Sequence, residues 1–204
     1  MMEKAKKYEV NAIILASGFS KRFDGNKLKE EINGKKIYSY VIDLIESISF
    51  KDKIVVTNDY EIIEYAKSKG IKFSKNPNAS EGKSQSIKIG IKNTVSDSEG
   101  YMFFMADQPF LKRESIIKLL DKFENNSETI IYPKFAGRKG SPAIISKSYK
   151  ELLLELEGDE GGSKYITEKN SLGIEIESES EGIDIDRMED YNKMSDYFDG
   201  NKDW

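Results

Sequence analysis

Short apolar runs rich in β-branched residues alternate along the chain with longer segments whose apolar positions recur every three or four residues. This is the pattern of βα units wound around a buried, mainly parallel sheet. Val10 to Ala16 predicts the first strand. Lys27 to Ile37 contains Asn33-Gly34, a turn signal between two short extended pieces, and Tyr40, Val41, Leu44, Ile45 and Ile48 then place a helix through Ser49. Lys53 to Thr57 and Ile71 to Ser74 predict strands on either side of an amphipathic helix, Glu61 to Lys69, that Gly70 ends. A helix from near Ser84 carries Ile87, Ile89 and Ile91, and the strand Tyr101 to Ala106 precedes a helix over Glu114 to Phe123. Thr129 to Tyr132 and Ala143 to Ile145 read as strands flanking the loop Phe135 to Pro142. Helices at Tyr149 to Leu156 and from Ser163, a late strand at Leu172 to Ile176 and a closing helix over Met188 to Phe198 complete the pattern, with Gly200 to Trp204 fraying. With no linker, internal repeat or low-complexity tract, one three-layer α/β/α domain over residues 1–204 is expected.

Composition narrows the chemistry. The chain has neither cysteine nor histidine, which removes thiolate and imidazole nucleophiles, disulfides, iron–sulfur clusters and most zinc chemistry. Carboxylates, lysine, arginine, hydroxyls, backbone amides and hard oxygen-bound cations remain, so Mg²⁺ is the expected metal. Thirty-two basic and thirty-six acidic residues give a net charge of −4. A polyanionic ligand must therefore be held by local cations or a metal rather than by the overall field, and a general nucleic-acid binder is disfavoured. Lys4, Lys6 and Lys7 before an apolar stretch loosely imitate a secretory signal, but Asn11 interrupts that stretch and Glu9 flanks it. No segment approaches the roughly 20 apolar residues of a membrane span, so a cytoplasmic location and no membrane partner are expected.

The first strand runs into Ala16-Ser17-Gly18-Phe19-Ser20-Lys21-Arg22-Phe23, then Asp24-Gly25-Asn26-Lys27. In an open α/β sheet ligands sit at the carboxyl ends of the strands, and glycine there lets backbone N–H groups approach phosphate closely. With Arg22 and Lys27 supplying charge, the loop reads either as a triphosphate cradle or as an ordinary solvated loop with scattered basic residues. Gly82-Lys83-Ser84 imitates the end of a P-loop, but the glycine required five residues before Gly82 falls on Pro77. No G-x-G-x-x-G follows the first strand.

These residues resemble the MobA/MocA-like nucleotidyltransferases of molybdenum cofactor biosynthesis. The resemblance stands on Leu15-Ala16-Ser17-Gly18-Phe19-Ser20-Lys21-Arg22-Phe23 with Gly25-Asn26-Lys27, on Asn76-Pro77 and Gly82-Lys83-Ser84-Gln85-Ser86, and on Ala106-Asp107-Gln108-Pro109-Phe110. It continues through Gly137 to Pro142, Gly158-Asp159-Glu160-Gly161-Gly162 and Asp184-Ile185-Asp186, in order over nearly the whole chain. It implies a Rossmann-like nucleotidyltransferase domain with a mostly parallel, mixed sheet. It further implies Mg²⁺ on Asp107 and Asp186, with Arg22 and Lys27 on the phosphates. Leu15, Ala16, Ser17, Gly18, Ser20, Asn76, Gly82, Ser84 and Ser86 would bind nucleotide, and Arg138, Gly140, Pro142, Asp159 and Gly161 would line the acceptor side. From the residues alone, Asp107 could instead cap a helix, Asp186 could sit in a solvated turn, Ser84 could be an N-cap, and Arg138 and Lys139 could be solvent-facing. A helix from Ser163 would also offer N–H groups to an anion.

The implied reaction is attack by a terminal phosphate of a molybdopterin-type acceptor on the α-phosphorus of a nucleoside triphosphate, with release of pyrophosphate. Such a phosphate has its second pKa near 6, so the nucleophile is ionised without a general base, and the lack of histidine is no obstacle. Ala-Asp-Gln-Pro and Gly-Asp-x-Gly resemble the cytidylyltransferase branch, favouring CTP, with a molybdenum hydroxylase as the recipient of the product. Three positions depart from the family pattern: Ser17 for Ala or Gly, an acidic Asp24 in the phosphate loop, and Arg187-Met188 where Thr-Pro usually follows Asp186. The alternatives are a guanylyltransferase, a sugar- or isoprenoid-phosphate nucleotidyltransferase of the same fold, and a non-catalytic pterin carrier.

Overall fold

The structure, a computed structural model, describes residues 6–18, 23, 25–185 and 188–192. In chain order the elements are β1 (Tyr8–Leu15), β2 (Glu31–Ile32), β3 (Lys35–Lys36), α1 (Ile37–Glu46), β4 (Phe50–Val56), α2 (Tyr60–Ser68), β5 (Lys72–Ser74) and α3 (Lys83–Asn93). There follow β6 (Gly100–Met105), α4 (Arg113–Glu124), β7 (Ile130–Phe135), β8 (Arg138–Lys139), β9 (Ala143–Ser146), α5 (Lys150–Leu154) and β10 (Ser171–Ile176). The sheet runs β10-β7-β9-β6-β1-β4-β5, with β8 paired to β7. β9 is antiparallel to both β6 and β7, while β1 is parallel to β4 and β6, so the sheet is mixed and mostly parallel, as the alternation of elements implied.

β1 explains the layering. Val10, Ala12, Ile14 and Ala16 point to one face and pack with Ile42 of α1, Ile62 of α2 and Leu120 of α4. Ile13 and Leu15 point to the other, against Ile87 and Ile91 of α3 and Leu153 of α5. A strand apolar on both faces needs helices on both, which gives three layers. α3 seats closely because Gly90 meets the sheet: a Cβ there would stand 2.4 Å from the Ile13 Cγ2. Asn33-Gly34 does form the turn between β2 and β3, with φ of 52° and 68° at its two central residues, the left-handed pair that a two-residue hairpin requires.

Some expectations move. β1 begins at Tyr8 rather than Val10, and β7 extends to Phe135, turning through Ala136 and Gly137 into β8 where a loop was expected. The expected helix from Ser163 is one 3₁₀ turn, Gly162–Tyr165, because Ile166 turns extended immediately after it. It is too short to gather the N–H groups of a helix terminus for an anion. Residues 188–192 are helical; the remainder of the closing helix and the tail Gly200 to Trp204 lie outside the described residues. Among the described residues no helix is long and apolar enough to cross a membrane.

Glu181 is a buried carboxylate that caps α4 from a distant turn: its oxygens accept from the Lys112 N–H at 2.9 Å and the Ser115 hydroxyl at 3.0 Å. Burial pushes its pKa above the ordinary glutamate range against the opposing pull of those bonds. As pH rises, the unfolded chain therefore releases this proton first, and the native state loses stability between the ordinary range and the raised value. Glu181→Gln retains an acceptor oxygen without the charge. Its melting temperature relative to wild type is expected to be about 2–4 °C more favourable at pH 8 than at pH 4 in paired calorimetric scans; a pH-independent difference would contradict this.

Candidate active site

β1 and β6 end together, with Leu15 in register with Met105. The chain leaving β1, Ala16-Ser17-Gly18, therefore meets the chain leaving β6, Ala106-Asp107, at one edge of the sheet. A cavity of about 670 Å³ opens there, walled also by Leu28, Gly82, Ser86 and Gly158. Ser17 turns its hydroxyl back onto the Val56 carbonyl at 2.9 Å, which accounts for serine at this position as a tie to the end of β4. Among the described residues beyond its chain neighbours, a Cβ built on Gly18 would meet nothing within 4 Å, and Gly18 lines the cavity.

Lys27 enters from a 3₁₀ turn, Lys27–Lys29, that is fixed from behind. The Asn26 Oδ1 accepts from the Leu28 N–H at 3.3 Å, and its Nδ2 donates to Asp59 Oδ2 at 3.3 Å. Asp59 also pairs with Lys29 at 2.8 Å and caps α2 by accepting from the Glu61 N–H at 2.9 Å, while Lys36 pairs with Glu61. Burial pushes the Asp59 carboxyl up, but Lys29 and the backbone N–H groups outweigh it and hold the group below the usual carboxylate range. Held this way, Lys27 Nζ meets Asp107 Oδ2 at 2.5 Å, with side chains only 13% and 11% exposed. The other carboxylate oxygen, Asp107 Oδ1, is buried with no partner among the described residues. The Ile185 N–H donates to the Asp107 carbonyl at 3.1 Å, which ties the chain just before Asp186 to this edge. Asp186 itself, with Ser20, Arg22, Asp24 and Arg187, lies outside the described residues.

Two loops close the cavity together. Gly82 has φ of 103°, and a Cβ there would stand 2.3 Å from the carbonyl carbon of Gly158. The first N–H groups of α3 are taken by that second loop: Lys83 N–H donates to Asp159 Oδ1 at 3.3 Å and Ser84 N–H to the Gly158 carbonyl at 3.0 Å. Of the two readings open for Ser84, the N-cap does not hold, and its side chain lines neither this cavity nor the one adjoining it. It lies inside the first turn, fully buried, and its Oγ has no partner among the described residues. Asn76 is also fully buried and organises the loop, donating to Ser86 Oγ at 2.9 Å and accepting from the Asn78 N–H at 3.0 Å.

A second cavity, of about 380 Å³, adjoins the first and shares Leu15, Lys83 and Met105 with it. Gly140 and Gly161, expected on the acceptor side, line it. Asp159 lines the first cavity instead, because its loop is bonded to α3. Arg138 is exposed on the β7–β8 hairpin, and Pro142 is buried after a cis peptide bond; neither lines either cavity. Two residues here were not singled out from sequence. Gln108 is 2% exposed and accepts from the Ser141 hydroxyl at 3.0 Å. Lys83 sits in the Gly82-Lys83-Ser84 string that lacks P-loop spacing, and its side chain lines both cavities.

A mostly parallel α/β sheet whose carboxyl edge carries a paired lysine and aspartate over a cavity closed by glycine turns is the architecture of a nucleotide-handling enzyme. The model of the MobA-like NTP transferase domain matches residues 12–172; the chain belongs to that family and is a nucleotidyltransferase. It is 26% identical to a probable molybdenum cofactor guanylyltransferase of Thermococcus gammatolerans, over 89% of this chain and 96% of that protein. It is 32% identical to the bifunctional protein GlmU of Buchnera aphidicola over 70% of this chain, a match spanning only 32% of GlmU. Among solved structures, a homologue of Rv0371c from Mycobacterium sp. strain JC1 superposes with a TM-score of 0.81 at 21% identity, covering 94% of this chain and 98% of that one. Rv0371c of Mycobacterium tuberculosis in complex with manganese superposes with a TM-score of 0.75 at 16% identity, covering 92% and 98%.

Gly82→Ala places a methyl group where the left-handed φ disfavours it and where Gly158 already stands. It is expected to cost about 1–3 kcal/mol and to speed amide exchange at Ser84, whose N–H depends on the Gly158 carbonyl. Unchanged exchange at Ser84 would show that the two loops are not held by this contact.

Proposed function

We propose that this protein transfers a nucleoside monophosphate, from CTP by preference, to the terminal phosphate of a molybdopterin-type acceptor, releasing pyrophosphate. The observation that carries the reading is the Lys27–Asp107 pair on the first cavity, with one carboxylate oxygen of Asp107 buried and unpartnered among the described residues. An orphaned carboxylate oxygen of this kind suits a hard divalent cation, and the manganese complex of Rv0371c is consistent with such a metal in this fold. Asp107 would hold Mg²⁺, with Asp186 as the second ligand implied by the family pattern. The ion, when bound, supplies charge neutralisation at the phosphates.

The remaining work falls to the chain. The acceptor phosphate is already ionised, so no side chain need take its proton. An acceptor oxygen forms a bond to the α-phosphorus while the bond from that phosphorus to the bridging oxygen of the β-phosphate breaks, and pyrophosphate leaves with the electron pair. Lys27, and Arg22 by the family pattern, would offset the growing charge. Leu15 to Gly18, with Gly82 and Ser86, would hold the nucleotide, and Gly140 and Gly161 would border the acceptor. Asp159, from the Gly-Asp-x-Gly loop, lines the first cavity and would stand on the nucleotide side. The Ala-Asp-Gln-Pro and Gly-Asp-x-Gly strings support CTP. The second reading is guanylyl transfer, favoured by the name of the Thermococcus relative. A molybdenum hydroxylase would receive the product in the first case.

Thermal denaturation with CTP, GTP, ATP or UTP, each with and without Mg²⁺, separates these readings on wild type and Asp107→Asn. A nucleotide at a hundred times its dissociation constant is expected to raise the melting temperature by roughly 5–10 °C. CTP with Mg²⁺ is expected to give the largest rise, and Asp107→Asn to lose it. A larger rise with GTP would select the guanylyl reading, and no rise with any nucleotide would remove both.

A further inference from the structure

Lys83 is the one charged residue that borders both cavities among the described residues. Its backbone N–H is tied to Asp159 Oδ1, and its stem lies across Gly161: a Cβ on that glycine would stand 2.9 Å from both Lys83 Cε and Nζ. Among the described residues its ammonium has no hydrogen bond or ion pair, whereas Lys27 is committed to Asp107 and Lys139 lies 5.7 Å over the Tyr132 ring. The ammonium of a half-buried lysine, paired with no group among the described residues and held at the seam of two cavities, is a site for an anion.

Two anions must meet at that seam, a triphosphate in the first cavity and an acceptor phosphate arriving through the second. We propose that Lys83 binds the acceptor's phosphate and holds its attacking oxygen at the boundary between the two cavities. The proposal rests on the nucleotidyl-transfer reading above. It assigns Lys83 to the acceptor rather than the triphosphate because the Nζ lies against Gly161, a wall of the second cavity alone. Gly161 is then glycine for a reason: any side chain there displaces the ammonium. Its φ of −135° is open to any residue, so alanine at this position moves Lys83 without straining the backbone.

The test measures molybdopterin binding by calorimetry and pyrophosphate release at varied molybdopterin, on wild type, Lys83→Met, Lys83→Arg and Gly161→Ala. Lys83→Met keeps the stem and removes the charge. It is expected to weaken molybdopterin binding and raise its KM by about 10- to 100-fold, while the thermal shift with nucleotide and Mg²⁺ is retained. Lys83→Arg should recover part of the loss, and Gly161→Ala should reproduce it. Unchanged molybdopterin binding in Lys83→Met would overturn the proposal, as would loss of the nucleotide shift in its place. Molybdopterin binding that depends on Lys83, without pyrophosphate release by wild type, would overturn the transfer reading and leave the anion site standing. Molybdopterin that fails to bind wild type would overturn both.

Discussion

β1 is hydrogen-bonded along both edges and buried on both faces, and the rest of the molecule answers to that. Its edges are satisfied by β4 and β6 in parallel register, and parallel neighbours can be reached only through crossovers long enough to hold helices. Its faces are apolar, so those helices must cover both sides. The consequence is one sheet edge at which β1, β4, β5 and β6 all end in the same direction, with the loops that leave them converging.

The candidate site lies at that edge because its groups are supplied from separate parts of the chain. Asp107 arrives on β6, and Lys27 on a turn anchored through Asn26 and Asp59 to the start of α2. The Gly82 turn packs backbone to backbone against Gly158, which leaves no room for a side chain at position 82. A lysine and an aspartate paired at 2.5 Å and mostly out of water add little to stability once desolvation is counted. Such a pair makes better sense as a preorganised arrangement of charge for a ligand with phosphates and a cation.

Much of the fold was legible in the sequence. Alternation between β-branched runs and helical spacing gives the layers, and Asn33-Gly34 gives its hairpin, because these signals are local. What failed depended on distant partners. Ser84 has every local credential of an N-cap, yet the N–H groups at the start of α3 are met by Gly158 and Asp159, far along the chain. The segment from Ser163 has helical residues but a single turn of helix. Arg138, which the family pattern puts on the acceptor side, stands exposed on the β7–β8 hairpin and lines neither cavity. The string around Lys83 carries no local signal of where its side chain goes, because Gly161, which it lies against, is far along the chain.

Lys27 is the side chain on which transfer at this edge would depend most directly. Pyrophosphate release should be measured with molybdopterin, Mg²⁺ and each nucleoside triphosphate in turn, on wild type and Lys27→Met, with circular dichroism establishing that the variant is folded. Release is expected to require all three components and to fall by about 100-fold or more in the folded variant. Release at the wild-type rate in Lys27→Met would contradict the assignment of this edge as the transfer site.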